Sequence, residues 1–384
     1  VRDRARRQFL TQVTAIVAAP VLLLGALALV CLHRGVLGAA GCGPLRIAGL
    51  AVFGVEEPEV VCTSIPFGAD IPSWTLGLTS SVAVALYLVL ASRLRNIEGD
   101  LVATGLLDSD ELSKEPLRGH MAKMRKGLSV SIATQLLFFL PVLLLGVLFY
   151  VFVNGHNHMF ADLPLIQGAG HVTQATESAY RESWWANWDR HPVLGVAWIL
   201  IGSVGAYFAV KQGYLYWRLS KLFVKGAELA VLNYIPARLN RDHGWRPVGR
   251  VISLSYVAAL NFLTSLIALL YMLKDPDAGL FRNLVLAGFA ILGTGLNIRF
   301  VYSMISCVRQ AHGKTVDIEL NELNHSIERA GAVDAAVPLE IRGEQLASAP
   351  PYPIKGRILR SLSFAPGLVA ATKLVHDAFG LIVT

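Results

Sequence analysis

Charge is what this 384-residue chain has least of. Asp, Glu, Lys and Arg together make up 16% of it, while hydrophobic residues make up 54%; an average soluble domain carries about 25% charge. That shortage excludes disorder, collagen and most soluble folds. Acidic residues are absent from the middle of every long apolar run, which argues against proton- or ion-driven carriage, because such transport generally needs a buried carboxylate. Motifs are lacking too. There is no Gly-x4-Gly-Lys-Ser/Thr, no His-Glu-x-x-His, no Gly-x-Ser-x-Gly and no Cys-x-x-Cys, so no nucleotide-binding or enzymatic signature stands out.

What is present is apolar length. Nearly uncharged runs fall near Leu10 to Leu32, Trp74 to Ser92, Leu128 to Val153, Pro192 to Val210, Val251 to Leu273 and Asn283 to Ile305. Each is about twenty residues or more, enough to cross a hydrocarbon core of roughly 30 Å at about 1.5 Å per helical residue. Their uniform apolarity excludes the alternation of a barrel strand. The reading is an all-α, polytopic membrane protein with six transmembrane helices plus cytoplasmic amphipathic helices. The Arg-rich start has the layout of a signal peptide, with Ala26-Leu27-Ala28 as a small-x-small site. Its apolar run, however, is too long for an ordinary signal sequence and is read as the first span.

Orientation follows from Lys and Arg, which are retained on the cytoplasmic side. Residues 1–9 form a basic arm with Arg2, Arg4, Arg6 and Arg7. Connections 93–127 (Arg93, Arg95, Lys114, Arg118, Lys123, Arg125, Lys126) and 211–250 (Lys211, Arg218, Lys221, Lys225, Arg238, Arg241, Arg246, Arg250) are strongly basic. Connections 33–73, 154–191 and 274–282 hold two basic residues each. The transmembrane domain therefore spans 10–305, with the basic connections and both termini cytoplasmic and the other three connections external. The net charge of +7 belongs to this bias, and no nucleic-acid interface is expected. Val1 in place of Met suggests a translated GTG start, from which a bacterial source and an inner-membrane location are expected.

Four cysteines are present. Cys42 and Cys62 share the first external connection, where an oxidising periplasm permits a disulfide; Cys31 is the alternative partner. The second external connection collects His156, His158, His171 and His191 with Asp162, Glu177 and Asp189. Imidazoles and carboxylates are zinc or copper ligands, yet the spacing matches no known metal site, and solvated packing at the interface is the plainer reading; no cofactor is predicted. Trp184, Trp185 and Trp188 beside them are expected to lay a short helix on the outer surface, indoles at headgroup level.

The segment Pro20-Val21-Leu22-Leu23-Leu24-Gly25 recurs at Pro141 to Gly146, which raises the prospect of repeated hairpins. On the cytoplasmic side, Tyr214, Tyr216, Trp217, Leu219, Leu222 and Phe223 interleave with Arg218, Lys221 and Lys225. That pattern suits either an amphipathic helix on the anionic inner leaflet or an extension of the fourth span packed on other helices. The tail, 306–384, carries a heptad-like helix at 314–331, whose seam is Val316, Leu320, Leu323 and Ile327, followed by an apolar helix at 358–383 read as a surface or re-entrant element. The seam is a natural meeting place for subunits of a homo-oligomer; packing against 93–127 is its alternative.

The intramembrane polar residues Gln135, Asn261, Asn297 and Arg299 remain. Facing a shared cavity, they would line a pore; bonded across helices, they would hold the bundle together. The expectation is a non-enzymatic oligomeric pore or passive path for an ion or small solute. The alternatives are a structural or anchoring subunit of a larger membrane complex, with other membrane subunits as partners, and a membrane enzyme using the external histidines. Anionic inner-leaflet lipids are expected partners in every case.

Overall fold

A chain in hydrocarbon must satisfy each backbone amide within its own segment, and the apolar runs obey that constraint by folding as helices. The computed structural model describes residues 2–37, 66–108, 117–128, 132–155, 184–229, 231–235, 244–273, 280–330, 339, 341–344 and 346. They contain α1 (Arg2–His33), α2 (Ile71–Ala103), α3 (Leu117–Leu128), α4 (Ile132–Gly155), α5 (Pro192–Glu228), α6 (Arg246–Leu273) and α7 (Leu280–Ala330), with a 3₁₀ turn at Phe67–Ala69. The described residues hold no strand, only an isolated bridge between Leu107 and Leu232. Five of the helices, α2, α4, α5, α6 and α7, are long and apolar enough to cross a membrane, as in a multi-pass membrane protein. The described apolar stretch of α1, Ala18–His33, is shorter.

The helix ends are written in local chemistry. Asp70 caps α2: its carboxylate accepts from the Ser73 amide at 3.0 Å, and a proline stands in the first turn, where its missing N–H costs nothing. At the other end of α2, Gly105 adopts φ +75°. Its amide donates to Val102 O, and that of Leu106 reaches back to Leu101 O, a Schellman closure that suits a residue without Cβ. Gly35 ends α1 in the same way at φ +69°, with Val36 N donating to Cys31 O. Just beyond, Phe67 N and Gly68 N donate to Val36 O and Leu37 O, so the chain leaves and re-enters the described fold at one pinched neck.

Three helices outrun their expected spans. α2, α5 and α7 contain 33, 37 and 51 residues, or about 50, 55 and 76 Å, against a hydrocarbon core of about 30 Å. The second connection, expected to start at 93, is helical to Ala103 and then carries α3, which buries Leu117, Met121 and Met124 on one face. The aromatic and basic stretch after Val210 is an extension of α5 packed on its neighbours; Leu215, Tyr216, Leu219 and Phe223 are all buried. The heptad-like stretch is likewise the far part of α7, continuous to Ala330.

Helix α2 packs against α1, α5 and α6, while α5 also contacts α3, α4 and α7, and α6 lies against α7. Two hydrophobic clusters result. One gathers Phe67, Tyr150, Trp184, Trp185, Trp198 and Met272 around the start of α2. The larger one, at the opposite end, joins the second half of α2, all of α3, the extension of α5, the start of α6 and the middle of α7. The repeated Pro-Val-Leu-Leu-Leu-Gly segments fall in α1 and α4, which carry outward-facing Val21, Leu22, Leu144 and Leu145.

Candidate functional site

Amide side chains inside an apolar bundle need partners, and here they find them on neighbouring backbones. Asn261 of α6 donates through Nδ2 to Thr79 O of α2 at 2.8 Å, beside a Ser265 Oγ to Thr79 Oγ1 bond of 2.7 Å. Asn297 of α7 donates to Ala259 O of α6 at 2.9 Å and is buried. Gln212 of α5, which sequence reading passed over, donates to Ala83 O of α2 at 2.5 Å. These three bonds tie α2, α5, α6 and α7 in series. Gln135 of α4 accepts from Lys211 Nζ of α5 at 3.2 Å, and that ammonium also lies 4.6 Å from the Tyr87 ring centre. Arg299 is exposed on the flank of α7 and lines a cleft toward α5.

Small residues bring the backbones together where the amides do not. A Cβ on Gly205 of α5 would land on the Ser80 backbone of α2, and one on Gly293 of α7 would meet Leu266 of α6 at 2.8 Å. The spacing Gly202-x-x-x-Ala206 and the pair Gly293-x-Gly295 point to such contacts, but Gly202 and Gly295 face open space. The close approaches fall instead at Gly205 and Gly293, and at Gly146 of α4 against Ser203 of α5.

The most elaborate polar arrangement lies at the start of α2. Asp70 is 1% exposed. Its Oδ2 accepts the indole N–H of both Trp184 and Trp185, each at 2.8 Å, while Oδ1 caps the helix. Trp198 Nε1 donates to Ser73 Oγ at 2.9 Å, Trp74 Nε1 to Phe67 O at 2.7 Å, and Tyr150 Oη to Ala186 O at 2.5 Å. One buried carboxylate thus gathers α2 and the segment leading into α5, and Tyr150 adds α4. Trp184 and Trp185 are therefore not surface indoles, as their sequence context suggests; only Trp188, 46% exposed, retains that character. A carboxylate satisfied by three N–H donors can stand inside such a wall of rings. Asp-x-Pro-Ser at 70–73 is a legible cap, but nothing local announces partners more than 110 positions away.

His191 stands at the entry to α5, and its ordinary pKa is lowered by partial burial and by Arg190 and Arg34. His156, His158 and His171, the other members of the expected metal set, lie outside the described residues, as do Cys42, Cys62 and 358–383. Cys31, the alternative disulfide partner, is a buried free thiol, as is Cys307. Among the described residues no three His, Cys, Asp or Glu side chains converge on a metal-sized site.

The opposite end is basic. Partial burial and the surrounding Lys123, Arg218, Lys225 and Lys221 push the His120 imidazole below its ordinary pKa. Arg125 pairs with Glu98, and Asn233 N donates to Leu106 O at 2.9 Å, joining the turn after α2 to the one after α5. Along α7, Leu323 is buried and lies beside Gly343, while Arg342 pairs with Glu319. The chain itself therefore covers the centre of the heptad seam and leaves Val316, Leu320 and Ile327 half-buried. No protein family, curated protein or solved structure matches this chain.

Proposed function

We propose that this chain is a non-enzymatic membrane anchor, a structural subunit that holds a rigid platform of helices on the cytoplasmic side. What carries the reading is the surplus length of α2, α5 and α7, which packs with α3 and the start of α6 into one apolar cluster continuous with the membrane part. The interhelical bonds of Asn261, Asn297 and Gln212 support it further, since a tightly tied interior suits a scaffold better than a path within one subunit. In this reading α1 is the sixth span. The Asp70 end faces outward, the basic end faces the cytoplasm of a bacterium across its inner membrane, and both termini are cytoplasmic. Other membrane subunits are the partners, and no cofactor takes part.

The oligomeric pore is the second reading, favoured by one observation: Lys221 and Arg299 stand on an open face between α5 and α7, where copies meeting on that face would put them on a shared axis. Native mass spectrometry of the particle, extracted with its surrounding lipid, separates the two when paired with conductance in planar bilayers. The anchor reading expects a non-conducting chain recovered with other proteins. A conducting homo-oligomer sinks it and establishes the pore.

A further inference from the structure

Where α5 and α7 run side by side past the membrane amides, a cleft of about 450 Å³ opens between them, within the range of small-molecule sites. Each wall carries both kinds of side chain: apolar Trp217 with cationic Lys221 on α5, and apolar Leu296 and Phe300 with cationic Arg299 on α7. Lys221 and Arg299 are exposed, and neither has an ion pair or hydrogen bond among the described residues. Arg218 stacks on the Trp217 ring, 4.8 Å from its centre, and is held there by its Nε bond to Tyr214 Oη at 2.8 Å. Among the described residues no carboxylate lines the cleft. The cationic character extends beyond it, since the field of Lys221, Lys225 and Arg218 is already felt by His120 on α3.

Depth decides what such a cleft meets. Trp198 lies level with Ser73 at the Asp70 end, and Trp217 is nineteen residues further along α5, or about 28 Å. A hydrocarbon core of about 30 Å therefore ends beside the cleft, with Trp217 on α5 and Leu296 on α7 about one turn closer to it than Lys221 and Arg299. We infer that the α5–α7 cleft is a binding site for one anionic phospholipid, its phosphodiester held by Lys221 and Arg299 and the top of its acyl chains lying on Leu296, Phe300 and Trp217. Ammonium and guanidinium groups match phosphate oxygens with charge-assisted bonds, and the low dielectric beside the acyl chains strengthens them. The inference rests on membrane embedding and is independent of whether the protein anchors or conducts.

The test uses the full chain in micelles holding equal amounts of phosphatidylglycerol and phosphatidylcholine, with retained lipid identified by native mass spectrometry. Wild type should keep one phosphatidylglycerol. The Lys221→Gln/Arg299→Gln variant should lose it, with retention falling about tenfold or more, the scale of one charged hydrogen bond. Arg95→Gln/Lys126→Gln removes equal charge from exposed positions on α2 and α3 and should behave as wild type. Circular dichroism checks that each variant is helical. Unchanged retention in the first variant, or equal loss in the second, overturns the site. Displacement of the lipid by soluble glycerol phosphate overturns the lipid assignment in favour of a free phosphate.

Discussion

The two ends of this bundle are held together by opposite means. Around Asp70 three directional bonds converge on one carboxylate, and a Tyr150 bond to Ala186 O adds α4 beside them. At the basic end the hydrophobic cluster is larger, built from aliphatic side chains such as Leu90, Leu94, Leu219 and Val248 with Trp245 and Phe223. The first end is specific and brittle, because removing one acceptor orphans three donors. The second is redundant, because each side chain touches many and none is indispensable. The one buried carboxylate among the described residues is the one on which three N–H groups converge.

The sharpest way to break the comparison is Asp70→Ala. It strands two indole N–H groups and the cap of α2 and should cost about 3–5 kcal/mol, read as a lowered unfolding midpoint in micelles. Asp70→Asn, which keeps an acceptor, should recover part of that. Leu219→Ala in the redundant core should cost less, about 2–4 kcal/mol, with neighbours closing in on the gap. Should it cost more than Asp70→Ala in the same assay, the contrast fails. Asn261→Ala, between the two ends, should cost about 1 kcal/mol, because helix-to-helix bonds in lipid are individually weak.

The smallest effect is in pH, and both ends share it. His120 and His191 have folded pKa values below the unfolded one, from partial burial and nearby cations. The unfolded chain therefore takes up protons first as pH falls. The stability each neutral imidazole contributes is complete above the unfolded value near 6.5 and is lost on descending through the folded one. His120→Gln and His191→Gln should each flatten the stability profile below pH 6.5, followed by thermal unfolding at several pH values. A steeper profile in either variant would mean the sign is wrong.

The helices were legible because hydrocarbon enforces them: an apolar run of span length has few alternatives to a helix. Their overrun was harder to read, since the residues after Val210 and Ile305 turn amphipathic without a break, and amphipathic sequence suits a leaflet surface as well as a packed cytoplasmic layer. Polar residues inside the spans were easy to find and hard to interpret. Asn261 and Asn297 stand out by composition, but whether they face a cavity or a carbonyl depends on helix rotation, which an all-round apolar helix does not encode. Asp70 stayed hidden for a different reason. It looks like an ordinary helix cap, and the two indoles that make it a hub arrive from across the fold.

Helix α7 has a mechanical consequence. It is one unbroken rod of 51 residues, held by α5 and α6 along part of its length. A rod of about 76 Å turning about one end through about 3° carries its other end about 4 Å, roughly a side chain's width. Small changes in how the membrane part settles, whether from bilayer thickness or from a lipid seated beside Arg299, are thus magnified with distance along the helix. The Arg342–Glu319 pair rides on the far portion of that lever.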